Sequence, residues 1–189
     1  LGGCSVEHKS DAGATAEAGR VEVDVVVAPS TARLQPRRDV EAYGTSTGIE
    51  LTAARGEREG AQLIASARTG SPRLVLVTGE LQGPAGARIA ARHVRGYLEQ
   101  VLRVEHGSPG GRSGEYTDPL IPAAKRDVVL APDEQLYAWV DVETPVSAQP
   151  GTYRGKVELR AATRSGRYAT GADGVLASAP ITLRVAKAT

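Results

Sequence analysis

With 189 residues the chain is long enough for one domain with a real hydrophobic core, and a two-domain enzyme would be cramped in it. Its 23 basic and 22 acidic residues leave a formal net charge of +1, so no strong field steers nucleic acid or an anionic membrane toward it. A single cysteine excludes a disulfide framework and a cysteine-based metal cluster.

The chain opens on Leu1-Gly2-Gly3-Cys4-Ser5, which has the form of a lipobox: small residues ahead of a cysteine let a signal peptidase cleave and leave that cysteine to carry lipid. Residues 1–4 are then the remnant of an export signal, and Cys4 is the lipid-attachment residue. Two or more acyl chains on one residue hold a protein stably at a membrane, where one chain binds only marginally. The reading places the protein outside the cell, anchored to the outer face of the membrane only through lipid on Cys4. Residues 5–20 are small, polar and aperiodic, the composition of a flexible tether with a reach of about 20–25 Å.

Alternation of apolar and polar residues begins at Val21. Val21, Val23, Val25 and Val27 lie two apart, as a half-buried strand requires. The same period marks Ile49, Leu51 and Ala53, and then Ala61, Leu63, Ala65 and Ala67. Leu74-Val75-Leu76-Val77 is apolar on both faces and reads as a central strand covered on each side. Between Ile89 and Val104 the apolar residues fit both a helical and an alternating period. Gly96 weakens a helix there by roughly 1 kcal/mol, while the Ala, Arg, Leu, Glu and Gln around it favour one; the local pattern leaves helix and strand open. The glycine-rich stretch at 107–114 lacks the Gly-Lys-Ser/Thr ending of a phosphate-binding loop and reads as a surface loop. Leu136 to Val142, Tyr153 to Ala161 and Ile181 to Val185 alternate again, each bounded by Pro or Gly. About eight or nine short strands separated by turns predict an all-β fold, an antiparallel β-sandwich of immunoglobulin-like or jelly-roll-like kind over 21–189.

Three landmarks, taken in order, resemble the N-terminal β-sandwich of family 123 glycoside hydrolases. They are Ile49-Glu50-Leu51 through the acidic turn to Ala61-Gln62-Leu63; Asp118-Pro119-Leu120-Ile121-Pro122; and Trp139-Val140-Asp141-Val142 followed by Pro150-Gly151-Thr152-Tyr153-Arg154-Gly155. The resemblance implies a domain set ahead of a catalytic barrel in the same parent protein, and an extended course for 89–104. In that family hydrolysis of N-acetylgalactosamine linkages depends on the substrate's own acetamido group and an acidic pair in the barrel, so no catalytic residue is carried to this chain. Each landmark also has a local reading. Pro150-Gly151 has type II turn chemistry and predicts a hairpin into the strand from Tyr153. The two prolines of 118–122 stiffen a loop whose Leu120 and Ile121 should plug into a neighbour. Glu57, Glu59 and Gln62 sit at a turn between two strands, where carboxylates cap backbone N–H groups or meet another domain; a plain solvated turn is the simpler reading.

A direct search for chemistry gives no complete active site. His8, His93 and His106 lack metal-site spacing, no Gly-x-Ser-x-Gly elbow is present, and no cofactor motif is found. Tyr137, Trp139 and Asp141 share one strand face, which sets two aromatics beside a carboxylate and makes them, with Asp118 and Glu57, the candidate carbohydrate or interdomain contacts. Against this stands burial of Trp139 in the sandwich core or at a domain interface. Two functions follow: a noncatalytic accessory domain whose partner is the catalytic barrel of its parent, or a self-sufficient surface lipoprotein whose sandwich binds a glycan or a protein.

Overall fold

The computed structural model describes residues 21–36, 40–106, 111–124, 126–163 and 168–187. Cys4 with its lipobox, the tether at 5–20 including His8, and residues 107–110 of the glycine-rich loop at 107–114 lie outside those residues. Among the described residues the regular structure is strand, with four short 3-10 turns. The strands are β1 (Val23–Pro29), β2 (Ile49–Ala53), β3 (Arg58–Ala67), β4 (Arg73–Thr78), β5 (Leu81–Gln82), β6 (Arg88–Ile89), β7 (Val94–Val104), β8 (Gly114–Pro122), β9 (Val128–Val129), β10 (Gln135–Glu143), β11 (Gly151–Ala161) and β12 (Val175–Val185).

Two sheets pack face to face. The first has the order β1-β3-β10-β7-β8, with every neighbour antiparallel. The second runs β2-β12-β11-β4-β9 and is antiparallel except for β2 beside β12, with the short β5 and β6 extending it. The period-two pattern explains the arrangement. In β10, Leu136, Ala138, Val140 and Val142 point inward and are buried, while Tyr137, Trp139 and Asp141 take the other face. In β12, Ala179, Ile181, Leu183 and Val185 fill the opposing face of the same core. A second, smaller cluster lies on the outer side of the first sheet. There Leu34, with Val40 and Tyr43 against it, packs on Ala28, Ile64 and Tyr137. Gln62 Nε2 pins this cover by donating to the carbonyls of Pro29 and Ala32, at 2.8 and 2.9 Å.

The ambiguous stretch resolves as a 3-10 turn at Ala91–His93 followed by the eleven-residue β7. Gly96 explains why alternation prevails. A Cβ built there would come within 2.7 Å of Leu76 Cδ2, so only a glycine lets β7 approach β4 this closely across the core.

Three local expectations are corrected. Asp118–Pro122 is not a packing loop but the end of edge strand β8, with a cis Asp118–Pro119 bond and Leu120 exposed. The apolar pair suggested burial, but an edge strand has a neighbour on only one side. Pro150-Gly151 does not close a hairpin either: the segment from Thr144 to Pro150 carries the chain from one sheet to the other, since β10 and β11 lie in different sheets. Leu74–Val77 is covered on both faces at Leu74, Val75 and Leu76, yet among the described residues β4 is flanked on its outer side only by the two-residue β9.

The two ends of the described chain lie at opposite ends of the sandwich. Glu22 takes the hydroxyl of Thr69 as acceptor beside the end of β3, whereas Ala186 N–H donates to Ala53 O next to the turn that starts β3. Ten residues of β3 separate them by about 30 Å.

Candidate functional site

The outer face of the first sheet brings residues from β3, β10 and β7 into rows by register. Trp139 lies between Gln62 and Tyr97, Asp141 between Gly60 and Arg95, and Tyr137 between Ile64 and Glu99. Trp139 is half-buried, and its indole Nε1 donates to Asp141 Oδ1 at 2.5 Å. Beside it is a charged cluster. Glu143 Oε2 accepts from Arg58 Nη2 at 3.2 Å and from Arg95 Nη2 at 3.3 Å, while His93 Nδ1 stands 3.9 Å from Glu143 Oε1. The second Arg58 nitrogen lies 4.0 Å from Asp141 Oδ2. These pairs are partly exposed, so each contributes little on its own. Their effect is to fix the direction of a surface at the Lys187 end of the sandwich.

The candidate residues named from the sequence therefore part company. Trp139 and Asp141 sit together on this face, and Trp139 is outside the core between the sheets. Tyr137 shares the face but is buried beneath Leu34 and its neighbours, so it offers no ring to a ligand. Glu57 is exposed at the Lys187 end, where its Oε2 accepts from Ala54 N–H at 2.7 Å, the capping role read for that turn. Asp118 is on β8, away from the others. The arginines, Glu143 and Tyr97 gave no sequence signal, because only register brings them to Trp139.

Gly60 holds the indole in place by its lack of a side chain: a Cβ there would lie 2.8 Å from Trp139 Nε1 and 3.0 Å from Asp141 Oδ1. Gly60→Ala is expected to displace the ring and expose it to water. Trp139 is the chain's sole tryptophan, so a red-shifted emission reports the change directly. An unchanged spectrum would count against the packing described.

A buried acid lies one row along. Glu99 is 7% exposed, and burial pushes its carboxyl above the ordinary value of 4.5, with like-charge repulsion from Asp118 adding to the rise. Thr117 draws it back only in part. No hydrogen bond of normal geometry is completed, and Glu99 Oε1 and Thr117 Oγ1 are both buried without a partner. Because the folded state binds this proton more tightly than the unfolded chain, the contribution to stability is complete below 4.5 and is lost as pH rises through the folded value. Glu99→Gln is expected to raise the Tm at pH 7 by about 2–4 °C, near 1 kcal/mol, and to change little at pH 4. A Tm equal to or below that of the parent at pH 7 would contradict this reading.

Among the described residues no group of three or more His, Cys, Asp and Glu is arranged to hold a metal ion, and no helix is long and apolar enough to cross a membrane. A cleft of about 850 Å³ opens between β4 and β7 and is mostly apolar. Among the described residues that line it there is no carboxylate.

Fold and face together define a class: a two-sheet β-sandwich module with a structured polar surface and no assembled catalytic pair among its described residues. The chain matches the glycoside hydrolase 123 N-terminal domain over residues 31–161 and belongs to that family. Among solved structures it is similar to a family 123 glycoside hydrolase from Clostridium perfringens, whose structural analysis concerned glycolipid glycan hydrolysis. The TM-score is 0.69 at 12% identity, covering 88% of this chain and 27% of that one. At that identity the likeness shows the fold, and the chain spans about a quarter of the other's length. The N-terminal domain of PorA matches with a TM-score of 0.32 and 15% identity over 86% of this chain and 97% of that one. A type I ScaB cohesin from Pseudobacteroides cellulosolvens matches with 0.27 and 11% over 75% and 90%. Neither is close enough in shape to bear on function. No curated protein matches.

Proposed function

We propose that this chain is the noncatalytic N-terminal accessory domain of an exported glycoside hydrolase-like lipoprotein, supporting a catalytic barrel carried by the rest of the parent polypeptide. The observation that carries the reading is the family match over residues 31–161, taken with the likeness to a hydrolase of which this chain spans only 27%. The Lys187 end of the sandwich suits an interdomain surface. It bears the Glu143 cluster, Glu57, and Val146, whose side chain is left 77% exposed on the crossing between sheets. Val146 also lines a shallow hollow with Ala54, Arg55, Ala186 and Lys187. Such a mixture of apolar centre and charged rim is usual where two folded units meet.

The test compares Val146→Glu in the 189-residue chain and in the longest product of its gene. The isolated chain should keep its Tm, and the longer protein should lose domain coupling, seen as separate unfolding transitions. Identical behaviour in both would remove this surface from the proposal. Attachment through Cys4 places the domain on the outer face of the bacterial membrane, with the tether entering at the end opposite Lys187. Cys4→Ala should release the protein from the membrane fraction of its native host, and an unmodified N-terminal segment in mass spectra of that protein would refute the anchor.

A second reading, glycan binding by the sandwich itself, draws on the Trp139 and Tyr97 row beside Asp141. Titration with oligosaccharides ending in N-acetylgalactosamine, followed by Trp139 fluorescence, tests it.

A further inference from the structure

The cleft between β4 and β7 lies apart from the Glu143 cluster and the Val146 hollow, and neither reading above uses it. Val75, Leu76, Val77 and Thr78 form its floor, with Val94 and Ala123 among its walls. Two hydrogen bonds hold it in shape: Thr78 Oγ1 donates to Val94 O at 2.8 Å, and Ala123 N–H donates to Gly96 O at 3.0 Å. Its volume, about 850 Å³, is that of a small-molecule site, and such sites are commonly preformed, apolar and furnished with a few polar groups. The bed follows four residues of β4, roughly 13 Å. Tyr168 closes the Val75 end, because Ala162 bridges to Tyr168 and its N–H donates to Arg73 O at 2.8 Å. Ala91 and Arg92 close the Thr78 end, just ahead of Val94 in the chain.

Charge decides what suits this bed. Among the described residues that line it there are two arginines, Arg92 and Arg95, and no carboxylate. Arg95 is engaged by Glu143 at 3.3 Å. Arg92 is exposed and, among the described residues, has no hydrogen bond or ion pair. The cleft thus offers a long apolar bed with one uncompensated cation at one end. A sugar would leave most of its hydroxyl groups against apolar side chains without partners. A doubly charged phosphate would call for more than one free cation.

We propose that the cleft binds a single-chain aliphatic carboxylate, its chain lying along residues 75–78 and its head on the Arg92 guanidinium. Burial of the chain supplies most of the affinity, and the planar guanidinium selects a carboxylate over a neutral head. The site stands independently of the accessory role.

Calorimetric titration of octanoate, decanoate and decanol, each kept below its micellar concentration, into the 189-residue chain and the longest product of its gene tests the site, with NMR of the shorter form to locate it. Decanoate should shift the amides of residues 75–78 and of Ala123, and should bind both forms alike. Its two extra methylenes should tighten binding over octanoate about fifteenfold, near fourfold for each. Arg92→Ala should weaken decanoate about fivefold and leave decanol unchanged. Arg184→Ala, which removes an exposed arginine from β12, should alter neither. Decanol binding as tightly as decanoate to the parent chain would overturn the proposal, as would amide shifts confined to other parts of the molecule. Binding to the 189-residue chain that is lost in the longer protein would also overturn it, and would mark the cleft as covered by the rest of the parent. A chain that binds none of the three and sediments as a dimer would leave this face to a second copy instead.

Discussion

Tyr153→Ala is expected to cost about 4 kcal/mol, a fall in Tm of roughly 8–16 °C for a domain of this size. Tyr153 is 1% exposed in the main core, and its ring lies flat against Gly83, where a Cβ would approach Tyr153 Cε1 to 2.3 Å. Its hydroxyl donates to Gln149 O at 3.0 Å, which steadies the crossing between the sheets. Tyr153→Phe removes only that bond and should cost about 1 kcal/mol. The contrast separates ring from hydroxyl: a small loss in the alanine variant would mean that the ring is not the packing centre described. The glycines around it belong to the same construction. Gly151 has φ +139°, and a Cβ on Gly155 would meet Leu81 Cδ2 at 2.4 Å and Glu80 O at 2.8 Å. The Pro-Gly-Thr-Tyr-x-Gly pattern is therefore a device for laying β5 and its turn across β11, and not a hairpin.

Arg160→Ala is the second large effect, at about 3 kcal/mol or a Tm lower by roughly 6–12 °C. The side chain is buried on the outer face of the second sheet. It pairs with Glu158 at 2.5 Å, donates to Ala169 O at 3.0 Å and to Gly171 O, and lies 5.7 Å from the centre of the Tyr168 ring. One guanidinium thus holds the 168–171 segment down on β11, and its loss takes a donor from the carbonyls of Ala169 and Gly171, the latter keeping only the long bond from Gly174 N–H, and from one oxygen of a buried carboxylate. Hydrogen bonding from Lys156 and then from Arg160 keeps the Glu158 carboxyl below its ordinary value, against the opposing effect of burial. The stability it contributes is present above 4.5 and is lost as pH falls through the lower folded value. Glu158→Gln should accordingly be less stable than the parent at pH 7 and approach it in acid, the reverse of Glu99→Gln.

Those two acids show what was legible and what was not. Alternation in β1, β10 and β12 revealed strands, and hence a sandwich, because burial on one face leaves a period of two in a single segment of chain. The outward position of Trp139 and Asp141 was readable for the same reason. Glu99 occupies an equally outward position in β7, yet it is buried, because Leu34 and Thr117 come over it from segments distant in sequence; Thr117 N–H donates to Leu34 O. Likewise Tyr137 reads as half of an exposed aromatic pair, but Ala32, Leu34, Val40 and Tyr43 form the cover of its cluster. Trp139 finds Tyr97, and Glu143 finds Arg58 and Arg95, through strand order, which no local pattern encodes. The edge of β4 is of this kind as well: Leu74–Val77 reads as a fully enclosed strand, but among the described residues the short β9 pairs only with Arg73 and Leu74.

The central claim is that this domain serves a catalytic unit without performing catalysis itself. Its most direct test is the hydrolysis of aryl N-acetylgalactosaminides by the longest product of the gene, with the 189-residue chain measured alongside at equal concentration. The account predicts turnover by the longer protein and none by the isolated domain. Turnover by the isolated domain would contradict it, as would a gene that ends with this sandwich and yields no activity in any form.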